Sequence, residues 1–331
     1  MNVRSQIVGC GSYLPERVMT NDEIATFLDT SDEWIAARTG IRQRHIAAEG
    51  ELTSDLAFNA ADSALRAAGI RACEVDLILV ATTTPDKTFP ATATRVQAML
   101  GAEGGPAFDL QAVCTGFIYA LAVADSFIRL GQVDTAVVIG AETMSRLLDW
   151  EDRSTCVLFG DGAGAVVLKS SNHHAPSGSG GRENLPRGIL STHLHADGRI
   201  GNLLQTDGGP SSTGTVGTLK MSGREVFRHA VANLASVLEE ALAANGMTPA
   251  DIDWVVPHQA NRRIIEGTIR KLGLDEDRVI ITIERHANTS AASIPLALDE
   301  GVRDGRIQPG QVLLMEAMGG GMTWGAGLAR W

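Results

Sequence analysis

Crosslinks, membrane anchors and surplus positive charge are what this 331-residue sequence lacks. Its four cysteines, at 10, 73, 114 and 156, are far apart, and none forms a Cys-x-x-Cys pair. That spacing excludes a disulfide framework, argues against a zinc site, and points to reduced thiols in a cytoplasmic setting. No apolar run approaches the ~20 residues of a spanning helix, and the N-terminus has no charged-then-apolar leader. A membrane protein is therefore not expected. Acidic residues outnumber basic ones, 39 to 28, for a net charge of −11. Nonspecific nucleic-acid binding is not expected of such a molecule. Positive charge does gather locally, in residues 224–228, at Arg262-Arg263 and at Arg270-Lys271. These clusters are either solvated helix faces or a docking surface for an acidic partner.

What is present is a good core, with 44% hydrophobic residues, enough for one large domain or two ordinary ones. The chain is organised around residues 108–121. Phe108 to Gln111 reads as a short strand. From Gly116 on, apolar residues at 117, 118, 121 and 124 read as a helix. Cys114 sits at the joint, where unpaired N–H groups and the positive end of the helix dipole would favour thiolate, the nucleophilic form. A buried structural cysteine fits this segment equally well.

The sequence also repeats itself. Ala64–Ile70 is echoed by Ala241–Met247, and Glu74–Val80 by Asp251–Pro257, both 177 residues on and without a gap. Each copy reads as a helix ended by glycine, a loop and a buried strand. Two halves of one α/β architecture follow. Ala81 and His258 fall at matching strand ends, where ligands of open α/β sheets collect. Asn288 comes shortly after another apolar run, Val279–Ile283.

Other segments are less specific. Asn21 and Thr30-Ser31-Asp32-Glu33 open helices. Trp34 and Arg38 then share a helix face, suited to a planar ring and a phosphate or to nothing more than a surface pair. Phe159–Ala165 carries three glycines but no following helix or Lys-Ser/Thr, so it reads as close backbone packing and not a phosphate loop. Residues 171–187 read as an exposed connecting loop, with His173 and His174 facing solvent. The strand Val312–Glu316 leads into Gly319-Gly320-Gly321, a composition suited to a backbone oxyanion site.

Cys114, His258 and Asn288 follow one another at intervals of 144 and 30 residues. Two chemistries fit that order: a papain-like cysteine hydrolase, and acyl transfer to carbon. The hydrolase lacks its local signature around Cys114 and does not explain the repeat.

Nine motifs in order now resemble one family over nearly the whole chain. They are Gly11–Pro15, Thr30–Ile35, Arg38–Ile41, the Cys114 segment, Phe159–Gly164, Ser191–Gly198, Val256–Asn261, Asn288–Ser293 and Gly319–Gly325. The family is the β-ketoacyl-acyl carrier protein synthases III, of the thiolase fold. The resemblance implies an α/β protein with mixed sheets and layered helices (α-β-α-β-α), in two pseudo-repeated halves, 1–170 and 188–331. It implies that Cys114 attacks an acyl-CoA thioester while the backbone N–H groups of Cys114 and Gly320 hold the oxyanion. His258 and Asn288 then donate to the malonyl thioester oxygen as CO2 leaves. Trp34 and Arg153 would sandwich the CoA adenine, with Arg38 on phosphate and Gly223 and Asn261 on the pantetheine arm. Arg228, Gln259, Arg263, Arg270 and Lys271 would meet the acidic carrier protein. Phe89 would line the acyl pocket across a homodimer. No cofactor or metal is implied beyond the substrates. Departures from the commonest pattern are Ala287 where Gly is frequent, Met318 and Met322 where Phe is frequent, Arg262, and the inserted 171–187. The methionines leave the acyl chain length open. Alternatives are a relative with the same triad but another starter or acceptor, as in secondary metabolism, and a carrier-binding scaffold with a dead site. Thiolases and the Cys-His-His synthases fit less well, because Asn288 and not the nearby His286 takes the third position.

Overall fold

A computed structural model describes residues 2–173 and 186–331. The expected loop 171–187 falls mostly on residues 174–185, outside the described residues, as does His174. Residues 171–173 instead end a strand.

The first half runs β1 (Asn2–Tyr13), β2 (Arg17–Thr20), α1 (Asn21–Ala25), α2 (Asp32–Thr39), β3 (Gln43–Ile46), α3 (Thr53–Ala68), β4 (Leu77–Ala81), α4 (Thr92–Leu100), β5 (Ala107–Leu110), α5 (Gly116–Arg129), β6 (Thr135–Thr143) and β7 (Asp161–His173). The second runs β8 (Gly188–Ala196), β9 (Leu204–Thr206), β10 (Leu219–Met221), α6 (Gly223–Ala244), β11 (Trp254–Pro257), α7 (Arg262–Leu272), α8 (Ile283–His286), α9 (Ser293–Arg303), β12 (Val312–Gly319) and β13 (Thr323–Arg330). The helix starts at 21 and 32 have the side-chain caps expected of them: Thr20 accepts the N–H of Glu23, and Ser31 that of Trp34.

Two sheets carry the fold. One has the order β1-β7-β6-β4-β5 and the other β8-β13-β12-β11. Corresponding neighbours have the same sense: β1–β7 and β8–β13 are antiparallel, whereas β4–β6 and β11–β12 are parallel. The central strands β4 and β6 are buried at every position, as strands covered on both faces must be. The fifth position of the second sheet holds only Val279, in an isolated parallel bridge to Val255. The run 279–283 is therefore not a strand. It turns into α8, and Gln259 holds that turn by accepting the N–H groups of Thr282 and Ile283.

Helices separate and cover the sheets. α5 and α9 form the middle layer, their residues Phe117, Ile118, Leu121, Ile294 and Leu298 packing against strands of both sheets. α3 covers the outer face of the first sheet with Leu56, Ala60, Ala64 and Leu65, at the spacing of a helix stripe. α6 and α7 cover the second with Val237, Leu238, Ile265 and Ile269. The α-β-α-β-α layering is the thiolase-like architecture. Among the described residues no helix is long and apolar enough to cross a membrane.

The motif Phe159–Ala165 is indeed close packing. A Cβ on Gly164 would lie 2.6 Å from the backbone of Pro295 and Leu296, so only glycine lets α9 approach.

Candidate active site

Cys114 sits in a single 3-10 turn, Val113–Thr115, between β5 and α5. Val113 is held at φ 51, a conformation that β-branched residues avoid. The turn is fastened to the other half: Thr115 Oγ1 donates to the Thr323 carbonyl at 3.0 Å, and Thr323 Oγ1 to that of Ala112 at 2.9 Å. The thiol is buried, and burial pushes it up to about 12. The Ser290 hydroxyl and the Cys114 backbone N–H act in the other direction, and the charge of Glu142 adds to the rise. The environment was expected to favour thiolate; instead desolvation outweighs the local donors, and the resting group is a thiol.

His258 follows β11 directly. Its N–H donates to the Glu316 carbonyl at 2.8 Å, which fixes it beside β12. Burial lowers the imidazole to about 3, so it is neutral at physiological pH and serves as a donor better than as a base.

Asn288 is pinned by its backbone to the glycine motif: its N–H donates to Leu158 and its carbonyl accepts from Gly160, both at 3.0 Å. Its Oδ1 accepts the Ser290 N–H at 2.9 Å, which leaves the amide NH2 as the free, donating end.

Cys114, His258 and Asn288 line one cavity of about 160 Å³, together with Gly223, Asn261 and Met318. His286 does not line it. That ring packs near His45 and lies 3.7 Å from Glu300. Gly320 lines a neighbouring cavity of about 340 Å³, with Ala112, Val113, Met144 and Leu147. The turn that carries Cys114 thus stands between two spaces. Of the three glycines it is Gly319 that touches it, since a Cβ there would lie 2.7 Å from the Cys114 nitrogen. A Cβ on Gly320 would meet the Leu204 carbonyl instead. These glycines permit close approach to the chain itself, and only Gly321 has positive φ, 91°.

The remaining candidates are more scattered. The Trp34 ring has the Arg38 guanidinium at 4.3 Å and that of Arg153 at 4.8 Å. Asn261 caps α7 by accepting the Arg263 N–H at 2.9 Å, and donates to the Arg38 carbonyl at 3.1 Å. Arg228, Arg263, Arg270 and Lys271 are exposed on α6 and α7. Arg228 pairs with Glu225, and Arg263 lies over Phe227. Gln259 is a correction. It is fully buried and all its amide atoms bond within the chain, so it braces β11 against the α8 turn and does not face a partner. Phe89 is 82% exposed.

Three residues escaped the sequence reading. Glu316 lines the cavity of Cys114, is fully buried, has Oε2 without a hydrogen-bond partner, and is raised to about 8 by burial. The other two are Glu142, fully buried on β6, and Ser290, whose hydroxyl donates to it at 2.9 Å. A lone carboxylate inside an otherwise apolar strand was the available signal for both acids. Among the described residues no three His, Cys, Asp or Glu side chains converge as metal ligands.

Comparison with known proteins agrees along the length of the chain. The family described as 3-oxoacyl-[acyl-carrier-protein] synthase III matches residues 108–198, and its C-terminal part matches residues 242–331. A β-ketoacyl-[acyl-carrier-protein] synthase III of Paramagnetospirillum magneticum is 68% identical over 330 residues, covering 100% of both chains. The crystal structure of 3-oxoacyl-[acyl-carrier-protein] synthase III from Aquifex aeolicus superposes with TM-score 0.91 at 47% identity, covering 99% of this chain and 100% of that one. The priming β-ketosynthase of the R1128 polyketide pathway gives TM-score 0.91 at 36% identity, covering 99% and 96%. With its layered fold and a cysteine, a histidine and an asparagine around one cavity, the chain belongs to the β-ketoacyl-[acyl-carrier-protein] synthase III family of condensing enzymes.

Proposed function

We propose that this enzyme primes fatty-acid synthesis by joining an acyl group from acyl-CoA, acetyl in the simplest case, to malonyl-acyl carrier protein. The reading is carried by one observation, the convergence of Cys114, His258 and Asn288 on a single cavity. Cys114 takes the acyl group from the thioester and CoA leaves. The malonyl thioester then occupies the same cavity, its oxygen facing His258 and the Asn288 NH2. Loss of CO2 puts negative charge on that oxygen, where two fixed neutral donors stabilise it. The carbanion attacks the acyl group on Cys114 and releases the 3-oxoacyl product. The apolar, buried lining keeps water from the acyl-enzyme.

Around this centre, the Cys114 and Gly320 N–H groups serve as the oxyanion pair. Trp34, Arg38, Arg153, Gly223 and Asn261 hold CoA, and Arg228, Arg263, Arg270 and Lys271 receive the acidic carrier protein. Phe89 reaches a second copy in a cytoplasmic homodimer. No cofactor takes part. The chain divides into halves 1–170 and 188–331.

The test is intact-mass spectrometry after incubation with a panel of acyl-CoAs, followed by malonyl-carrier protein. One acyl adduct, lost again on condensation and absent in Cys114→Ala, is the expected result. An adduct that persists in Cys114→Ala overturns it. A role with another starter is the second reading, favoured by Met318 in the cavity and by the likeness to a priming polyketide ketosynthase. A preference for longer or branched acyl-CoAs in the same panel would select it.

A further inference from the structure

Glu142 and Glu316 are both fully buried, and only the first is satisfied. Glu142 accepts from the hydroxyls of Thr82, Thr83, Thr84 and Ser290, the shortest bond being 2.6 Å. Glu316 has nothing comparable. Among the described residues its Oε2 has no hydrogen-bond partner, and no basic side chain pairs with it. A bare buried carboxylate is costly, so the group stays neutral, and burial raises it to about 8. Alternate residues of β12 face one way. Val312 and Leu314 enter the core beneath α6 and α7, and the next two on that face, Glu316 and Met318, line the cavity of Cys114. The strands on either side set Pro257 and Ala326 opposite Glu316, and α6 and α7 add Ala230, Leu234 and Ile264 to the wall. None of these side chains can bond a carboxyl. The Glu316 carbonyl takes the His258 N–H at 2.8 Å, which places the residue at the reactive end. The partner it lacks must come from what fills the cavity.

Of the two substrates only the malonyl one brings a charge to that end. Among the described residues no lysine or arginine lines the cavity. The Asn261 amide is engaged by the Arg263 N–H and the Arg38 carbonyl, and His258 and Asn288 serve the thioester oxygen. Glu316 is the polar group left over. We propose that Glu316 binds the malonyl carboxylate, its neutral carboxyl donating one hydrogen bond to a carboxylate oxygen, and so selects the second substrate. The proposal rests on the condensation reading above. Two acid groups that share one proton attract, where two charges would repel. An acetyl group offers this site nothing, so acylation is indifferent to it. The contact is made to the group that departs as CO2, so it serves binding more than the chemical step. The proton stays on Glu316 throughout.

The experiment measures KM and kcat for malonyl-carrier protein at saturating acetyl-CoA and, separately, acylation by acetyl-CoA. Glu316→Leu extends the apolar face of β12 and removes the donor. It should raise KM for malonyl-carrier protein about 10- to 100-fold, the usual weight of a hydrogen bond to a charged group, with kcat changed less than KM and acylation at the parental rate. Glu316→Gln keeps an N–H donor and should raise KM no more than about threefold. The parent's KM should rise ~5-fold from pH 8 to 9, as Glu316 ionises and repels the carboxylate, and that of Glu316→Gln should stay flat. Cys114 at about 12 and His258 at about 3, the other titratable groups lining the cavity, do not change charge in that window. Equal losses with acetyl-CoA and malonyl-carrier protein would assign Glu316 to the arm that both share, and an unchanged KM in Glu316→Leu would make it structural; either overturns the proposal. Should Glu316→Leu fail to fold, the pH profile of Glu316→Gln decides by itself. A parent that releases no CO2 from malonyl-carrier protein removes the condensation reading and this proposal with it, whereas a parent that condenses normally beside unaffected variants removes this proposal alone.

Discussion

The turn Val113–Thr115 before α5 and the turn Ser290–Ala292 before α9 are the same object met twice. They lie 177 residues apart, the separation of the sequence repeat, and their first residues have φ of 51 and 50. The second packs so closely on the strand beneath that a Cβ on Gly140 would fall 2.2 Å from the Ala291 carbonyl, and a Cβ on Gly116, next to the first, would fall 3.5 Å from the Ala291 Cβ. Only one of them carries a nucleophile. Where the first has Cys114 the second has Ala291, and its polar groups, Asn288 and Ser290, come just before it. A duplicated backbone device has been divided between the attacking atom and the groups that serve it. The strained φ belongs to the scaffold, since both copies have it, and the chemistry belongs to the side chains, since they differ.

The comparison can be broken most completely at its one thiol. Cys114→Ala should abolish acyl transfer from CoA, seen as the loss of the acyl adduct in intact mass. Next comes the histidine at the end of β11, which has no polar counterpart at Ala81. His258→Ala should leave acylation in place while slowing malonyl decarboxylation about 100- to 1,000-fold, the usual cost of an oxyanion donor. Equal loss of both steps would assign it the role of a base.

A smaller effect concerns Glu316. Its folded pKa lies near 8, above the ordinary carboxylate value, so the folded state binds a proton that the unfolded state has released. Its contribution is therefore full below about pH 4.3 and is lost as pH rises towards 8, at about 1.4 kcal/mol per pH unit at most. Thermal melts of Glu316→Gln should fall less between pH 5 and 8 than those of the parent. His258 tilts stability the other way: its folded pKa near 3 makes the unfolded state the better proton binder, so stability falls as pH drops below about 6.5. The smallest effect is expected at Ala287, buried at φ 58 and ψ −158, a region nearly reserved for glycine. Ala287→Gly should stabilise the protein by about 1 kcal/mol, a rise of ~2 °C in Tm, with acylation unchanged.

Much of this was legible in the residues. The repeat located α3 and α6, β4 and β11, and placed His258 at a strand end. The family motifs gathered Cys114 and Asn288. What pattern could not supply was environment. The resemblance assigns Gln259 to the carrier protein, whereas its burial and four internal bonds make it a brace. Val279–Ile283 is an apolar run, yet only Val279 makes a strand bridge, and that same amide holds the turn by which the chain enters α8. Cys114 reads as activated from its place in the chain, whereas burial, a property of everything packed around it, sets the opposite protonation. Glu142 and Glu316 show locally only as lone acids in apolar strands, because what each of them faces is distant in sequence.

The indole at position 34 already has a guanidinium 4.3 Å and another 4.8 Å from its centre. A flat base seated between that ring and Arg153 needs ~7 Å from face to face, two ordinary carbon contacts. On the proposed reading of this site as the CoA pocket, the nucleotide would enter by exchange, prising one arginine off the ring and replacing a cation contact with a stacking one. Indole fluorescence should report that swap, and affinity for CoA should reflect the difference between two similar contacts more than the full strength of either.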